Sequence, residues 1–203
     1  SKGKQCNPYM DTYDDEQSVM MTGPTYLALL SSGKFSSDDV IDTDCGIYKD
    51  VKDHNWYRGG YGQITLEEAL GYRSQVAFTK AKEVAFGDNS LQYESKITTY
   101  LADMPNSAMG ILTFYNAVAN SGRMVQLVTE GDYVIVLDDQ IAAPENIATL
   151  QQGLQKAVSR GLFRKAGREY TDVSACGRTF WADKKTRRME LCGYFPADNP
   201  MKL

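Results

Sequence analysis

The sequence is poor in the residues that build metal sites. It contains a single histidine, His54, and four cysteines with no Cys-x-x-Cys pair among them. Zinc sites are usually built from several cysteines and histidines at short, regular spacings, so this composition argues against a zinc site. No metal and no other cofactor is expected. Two disulfides are possible among the four cysteines, but the sequence alone demonstrates neither. The cysteines are Cys6, Cys45, Cys176 and Cys192.

Long apolar runs and an excess of positive charge are also absent. The longest purely aliphatic run is Val-Ile-Val-Leu at 134–137, far short of the roughly 20 residues that a membrane helix needs. Lys and Arg number 22 against 26 Asp and Glu, giving a formal net charge of -4, so no nucleic-acid partner is expected. The hydrophobic fraction of 42% in 203 residues is sufficient for a packed core, which excludes a disordered chain.

Several segments carry the signals of helices. Apolar residues are dense over 19–30 and Gly33 follows them, which predicts a buried helix with Pro24 either in its first turn or at a kink. Thr65 and Glu68 have the spacing of a capping box and open a helix that runs to about residue 72. Helical patterns also cover 74–86, 109–120 and 146–160.

The clearest strand signal lies near the C-terminus, where residues 173–182 and 187–195 flank a charged turn and predict a hairpin. A second strand pair is expected within 123–137, turning at 130–132. Residues 1–15 show no periodicity and are interpreted as a loosely ordered arm before one domain over 16–203. The fold class is therefore α+β, with helices packed on a small antiparallel sheet.

Candidate catalytic patterns are few and have ordinary structural explanations. Two Ser-x-x-Lys matches begin at Ser1 and Ser31, and about one is expected by chance, so neither indicates a nucleophile. His54 follows Asp53 and would be a general base if the two side chains met. Adjacent side chains rarely point together, so we favour an ordered loop there. The basic turn at 184–188 is typical of a solvated hairpin.

The predicted hairpin brings Cys176 and Cys192 to nearly facing positions. If its centre lies between Lys184 and Lys185, residue 176 faces residue 193. A disulfide requires the two Cα atoms to lie within about 7 Å, so a stagger of one residue decides between a disulfide and two buried thiols.

Six segments of this sequence resemble the transpeptidase domains of penicillin-binding proteins, in the order in which that family has them. The resemblance covers roughly residues 16–200 and is closest to the class B enzymes of division and elongation, which crosslink peptidoglycan and are acylated by β-lactams. It implies a truncated form of the penicillin-binding transpeptidase fold, which serine β-lactamases share. The segments that carry it are 29–43, 53–56, 62–70, 112–122, 140–145 and 193–200.

The same resemblance places the three catalytic motifs of that family, and all three are degenerate here. The nucleophilic serine and its lysine fall on Val19 and Thr22. The Ser-x-Asn triplet falls on residues 73–75, and the Lys-Thr-Gly-Thr strand falls on residues 176–179, where only the last threonine matches. Valine has no lone pair, so acyl-enzyme chemistry at that position is excluded. The degenerate positions are Val19, Thr22, Arg73, Gln75, Cys176, Gly177, Arg178 and Thr179.

The resemblance also implies a reduced sheet. Strands that precede the nucleophile helix in the family have no counterpart in residues 1–15, and the chain stops at Leu203, before a further expected strand. Exposed strand edges invite pairing with another chain. We therefore expect a homodimer through sheet edges, or a partner that supplies strands, which a strictly monomeric elution at high concentration would contradict.

These features predict an inactive transpeptidase-like domain of the cell envelope, in the periplasm or on the outer face of the cytoplasmic membrane. Its expected ligand is a protein of the envelope or a peptidoglycan peptide, whose carboxylate would bind Arg73, Arg178 and Thr179. One alternative is an active acyltransferase that uses Cys176, Ser18 or Thr22 as nucleophile; another is a decayed fragment without function. A signal peptide or membrane anchor upstream of Ser1 is left open.

Overall fold

A computed structural model describes residues 21–87, 90–105, 107–128, 133–160, 174–181 and 187–197 of the chain. It is an α+β fold, as predicted. Within the described residues, six α-helices pack around a shared core, and the strands form only two-stranded antiparallel sheets. The helices are α1 (Thr22–Leu30), α2 (Leu66–Tyr72), α3 (Gln75–Phe86), α4 (Ser90–Tyr100), α5 (Ala108–Ala119) and α6 (Pro144–Arg160).

Four strand pairs complete the described part of the fold. β1 (Val40–Asp42) pairs with β4 (Gln63–Thr65), and β2 (Ile47–Tyr48) pairs with β3 (Val51–Lys52). β5 (Met124–Val125) pairs with β6 (Val136–Asp138) through an irregular register. β7 (Ser174–Trp181) and β8 (Arg187–Tyr194) form the predicted hairpin with eight regular residue pairs.

Helix α1 is the centre of the core, because every one of its nine residues is buried. It packs against α2, α3, α4 and α6. The predicted helix over 19–30 is thus present from Thr22 onward, and Pro24 lies in its first turn, where a missing N–H costs nothing. Residues 19 and 20, like the predicted arm at 1–15, lie outside the described residues.

Local sequence signals explain where the other helices begin. Thr65 Oγ1 accepts from the Glu68 N–H at 3.1 Å, and the Glu68 carboxylate accepts from the Thr65 N–H at 2.9 Å, so the predicted capping box starts α2. Ser107 Oγ accepts from the Gly110 N–H at 2.9 Å at the start of α5. No helix in the described ranges is long and apolar enough to cross a lipid bilayer.

Helix α4 was missed by the sequence patterns, which left residues 87–109 without a helix. Only Ile97 and Tyr100 of its eleven residues are buried, so its apolar periodicity is weak. Tertiary contacts hold it instead. The Tyr93 hydroxyl and Thr25 Oγ1 form a hydrogen bond of 2.8 Å, and the Tyr100 hydroxyl donates to Ser31 Oγ at 3.2 Å.

Two chain segments cross at a pair of glycines in the loop between β1 and β4. Gly46 and Gly60 both have positive φ, at 82° and 73°. A Cβ on Gly60 would lie 2.3 Å from the Gly46 nitrogen, so no side chain fits at this crossing. The two segments of this loop therefore pack backbone to backbone at Gly46 and Gly60.

We expect Gly60→Ala to lower the free energy of unfolding by about 3 kcal/mol or more, because it adds a backbone clash to left-handed strain. Gly59→Ala is the matched control. Its φ of 91° imposes similar strain, but no atom lies within 4 Å of its Cβ, so a loss of about 1 kcal/mol is expected. Urea denaturation of both variants measures the difference, and equal losses would contradict a close crossing.

Candidate functional site

The three motif positions belong to elements that pack on the same core. Thr22 begins α1, residues 73–75 form the junction of α2 and α3, and residues 176–179 lie within β7. Helix α1 packs against α2, α3 and α6, while β7 packs against α6 and β8 against α5. We refer to these three segments together as the motif region. Val19 and Ser18 lie outside the described residues.

The first motif position lies in an apolar setting. Thr22 is 9% exposed, and Met21 before it is equally buried. The only ionisable side chain of α1 is Tyr26, which is fully buried, and burial raises the pKa of its hydroxyl. Within the described residues, α1 therefore carries neither a base nor an easily ionised group.

At the second motif, residues 73–75, a buried carboxylate from the preceding loop binds the start of α3. Asp53 is 1% exposed, and its Oδ2 accepts from Ser74 Oγ at 2.8 Å while its Oδ1 accepts from the Val76 N–H at 3.1 Å. Ser74 Oγ in turn accepts from the Ala77 N–H at 3.1 Å and caps α3. Asp53 thus satisfies donors at the start of α3, where a negative charge also complements the helix dipole.

Burial dominates the electrostatics of Asp53. Desolvation raises the pKa of this carboxyl group, although the hydrogen bonds from Val76, Ser74 and Gln75 act in the opposite direction. Because the pKa is higher in the folded state, the unfolded state ionises first as the pH rises. This carboxyl group therefore contributes stability below its ordinary pKa that is lost as the pH rises through the folded value.

The Asp53–His54 pair considered from the sequence does not form. Asp53 is buried while its neighbour His54 is exposed, and no hydrogen bond joins the two side chains. The interpretation as an ordered loop is correct for this segment. What the sequence could not show is that Asp53 bonds across 21 residues to Ser74, since no local pattern links the two.

Arg73 occupies the first position of the second motif in an unusual conformation. It ends α2 with a φ of 57°, a left-handed value that non-glycine residues rarely adopt. The side chain is half-buried, and its Nε and Nη1 atoms are buried. Its charge lies near Tyr61, whose ring stacks on Tyr72 at a centroid distance of 4.8 Å. Burial and Asp53 raise the pKa of Tyr61 more than Arg73 lowers it.

The third motif lies on β7 opposite β8. The ladder pairs Cys176 with Cys192, Gly177 with Leu191, Arg178 with Glu190 and Thr179 with Met189. The hairpin centred on residues 184 and 185 had predicted Cys176 opposite residue 193, so the register differs by one residue. The strand is present where the resemblance placed it.

The Ser-x-x-Lys match at Ser31 has no catalytic geometry. Ser31 Oγ accepts from the Tyr100 hydroxyl at the end of α1. Lys34 Nζ donates to the carbonyl of Ala85 at 2.7 Å and to that of Val84 at 3.4 Å. The lysine is therefore bound to the end of α3 and not to Ser31. This agrees with the interpretation of the Ser-x-x-Lys match as a chance occurrence. The match at Ser1 lies outside the described residues.

A groove of about 270 Å³ lies between α2 and α6, apart from the predicted motif residues. Lys156 Nζ donates to both oxygens of Glu67 at 2.8 Å at its edge. Neither the groove nor the rest of the described chain contains three or more metal-ligating side chains grouped together. Its lining residues are Asp38, Thr65, Glu67, Glu68, Gly71, Tyr72, Lys156 and Ala157.

Comparison with solved structures identifies the fold. No protein-family model matches the sequence, and no curated protein matches it. The structure is similar to the TP domain of Burkholderia pseudomallei penicillin-binding protein 3, with a TM-score of 0.71, 15% identity, and coverage of 95% of this chain and 70% of that one. It is also similar to the D,D-transpeptidase domain of a peptidoglycan glycosyltransferase from Eggerthella lenta, with a TM-score of 0.72, 13% identity, and coverage of 95% and 60%.

A third similar structure is Pseudomonas aeruginosa PBP2, with a TM-score of 0.66, 18% identity, and coverage of 91% of this chain and 52% of that one. The expected fold is thereby confirmed: the chain has the fold of penicillin-binding protein transpeptidase domains. It spans between 52% and 70% of the length of these structures.

We expect Asp53→Ala to lower the free energy of unfolding by about 3 kcal/mol, because it leaves the Ser74 hydroxyl and the Val76 N–H buried without their acceptor. Asp50→Ala and His54→Ala remove exposed neighbours and should change it by about 0.5 kcal/mol or less. Chemical denaturation at neutral pH measures all three. A loss with His54→Ala as large as with Asp53→Ala would contradict the assignment of Asp53 as the anchor of this loop.

Proposed function

We propose that this chain is a catalytically inactive relative of the penicillin-binding protein transpeptidases, which acts in the cell envelope by binding instead of by acyl transfer. The location, in the periplasm or on the outer face of the cytoplasmic membrane, is proposed from the same fold likeness. The observation that carries the proposal is the chemistry of α1, the helix on which the resemblance places the nucleophile and its lysine.

Acyl transfer needs a nucleophile and a group that removes its proton. The resemblance places these on Val19 and Thr22. A lysine at position 22 would be an amine at the start of a helix that is buried throughout, whereas the threonine present has no basic group. The remaining ionisable group of α1 is the Tyr26 hydroxyl. Burial raises its pKa, so it stays protonated and cannot act as a base for a neighbouring nucleophile.

The second motif supports the same conclusion. Ser74 is the one hydroxyl in residues 73–75, and it is fully buried, donating to Asp53 and accepting from Ala77. A hydroxyl held by both bonds and fully buried caps a helix and is not accessible to a substrate. Gln75 begins α3, and its backbone N–H faces Asp53.

Binding uses what the motif region still contains. Arg73 and Arg178 place two guanidinium groups on motif positions, and Thr179 adds a hydroxyl. A guanidinium forms paired, charge-assisted hydrogen bonds with a carboxylate, and the partial burial of Arg73 strengthens such a bond. The ligand that fits this set is a peptide with a free carboxylate, such as the stem peptide of peptidoglycan; a protein of the envelope is the other candidate partner.

We expect no covalent adduct when the folded protein is incubated with a fluorescent penicillin and its intact mass is measured. An active transpeptidase, treated in parallel, is the positive control and should gain the mass of one penicillin. An adduct on this chain would show that it is an acyltransferase after all. Peptide mapping would then distinguish Cys176, Ser18 and Thr22 as the nucleophile, with Cys176→Ser as the confirming variant.

We expect a soluble muropeptide with a free stem-peptide carboxylate to bind, and Arg73→Ala or Arg178→Ala to raise its Kd about tenfold or more, because each removes a charge-assisted hydrogen bond. Isothermal titration calorimetry measures this. Arg123→Ala is the matched control, since Arg123 is exposed and makes a surface ion pair with Asp139 at 3.7 Å.

Amidation of the ligand carboxylate should weaken binding as much as the arginine substitutions do. Unchanged affinity in the double variant Arg73→Ala, Arg178→Ala would remove these arginines from the binding site. No binding at all by the wild-type chain would remove the peptidoglycan peptide as ligand and leave an envelope protein as the partner to be sought by crosslinking.

A further inference from the structure

The β7–β8 hairpin pairs two cysteines directly. Its ladder runs without a register shift from Ser174 opposite Tyr194 to Trp181 opposite Arg187, and Cys176 stands opposite Cys192 within it. The stagger that the sequence left open is therefore resolved in favour of facing cysteines. Neither Cys6 nor Cys45 lies in this ladder.

This register satisfies the Cα-distance requirement for a disulfide. Residues directly opposite each other on antiparallel strands have Cα atoms about 4.5 or 5.5 Å apart, and their side chains share one face of the sheet. Disulfides form at Cα separations of about 4.4–6.8 Å. Both values fall within that range, and the closer Cβ atoms of a non-hydrogen-bonded pair favour the cross-link most.

The hairpin also has a physical need for a cross-link. In the described residues it has no third strand, so its strand pairing rests on one ladder and on packing against helices. Helix α6 packs against β7 and α5 against β8, and Cys192 is half-buried where β8 meets the hydrophobic core. Closing the loop from residue 176 to residue 192 would restrict the unfolded chain and so favour the paired strands.

We propose that Cys176 and Cys192 form a cross-strand disulfide that staples the β7–β8 hairpin when the chain meets a disulfide oxidant. With oxidised glutathione, the thiolate of one cysteine attacks the glutathione S–S bond and releases one glutathione thiolate. The second cysteine thiolate then attacks the mixed disulfide and releases the other. The protein thiols lose two protons and two electrons, and the oxidant is reduced to two glutathione thiols. This inference does not depend on the proposed function.

Peptide mapping of the full chain tests the proposal. Trypsin cleavage after Arg168, Arg178, Arg188 and Lys202 yields peptides 169–178 and 189–202, which carry one cysteine each. After treatment with oxidised glutathione, alkylation of remaining thiols and non-reducing digestion, we expect these two peptides to be joined. Reduction should separate them. Cys176→Ser and Cys192→Ser should each abolish the joined species, and Cys45→Ser, at an exposed cysteine, should preserve it.

A second measurement uses the wild-type chain and so does not depend on whether the Cys176 or Cys192 variants fold. We expect reduction of the oxidised wild-type chain to lower its thermal midpoint by about 5–10 °C, as for a loop of this length in a domain of this size. Cys45→Ser should show the same shift. Alkylation of both Cys176 and Cys192 after oxidation, or linkage of either to Cys6 or Cys45, would overturn the proposal.

Discussion

The burial of α1 is the constraint on which the rest of this structure depends. All nine of its residues are buried, and α2, α3, α4 and α6 pack around it. Close packing leaves little room on its surface: a Cβ on Gly23 would lie 2.7 Å from the Tyr115 hydroxyl oxygen. A helix enclosed on every side cannot carry charged groups without a large desolvation cost, so its sequence is apolar or neutral throughout. The enclosure of α1 and the absence of charged residues from its sequence thus have one physical basis.

A second, polar interaction connects this core to the loop between β1 and β4. Asp53 reaches from the loop to the first turn of α3 and accepts from Ser74 and Val76. The loop can present Asp53 there because Gly46 and Gly60 allow its two branches to cross in contact. The junction of α2 and α3 is thereby held from both sides, by Asp53 at Ser74 and by the stack of Tyr61 on Tyr72. These contacts flank Arg73, whose left-handed backbone needs support from its surroundings.

Local patterns predicted much of this fold and little of the site. The capping box at Thr65, the stop at Gly33 and the alternation over 173–195 each act within a few residues, and the corresponding elements are present. Helix α4 was missed because tertiary contacts of Tyr93 and Tyr100 hold a segment with weak periodicity. The bond from Asp53 to Ser74 and the pairing of Cys176 with Cys192 depend on how distant segments meet. Such contacts, and a register that changes with one residue of stagger, are properties of the assembled chain.

The direction of the differences at the motif positions is itself informative. A lysine at position 22 would have to be desolvated beside Met21, and in active enzymes such a cost is accepted because the amine does chemistry. Threonine at this position avoids that cost. At position 73 the situation is opposite, since Arg73 places a half-buried positive charge at the C-terminal end of α2, where it complements the helix dipole. Burial therefore accounts for an uncharged residue at position 22, whereas the charge at position 73 is tolerated because it lies at the end of a helix and is only half-buried.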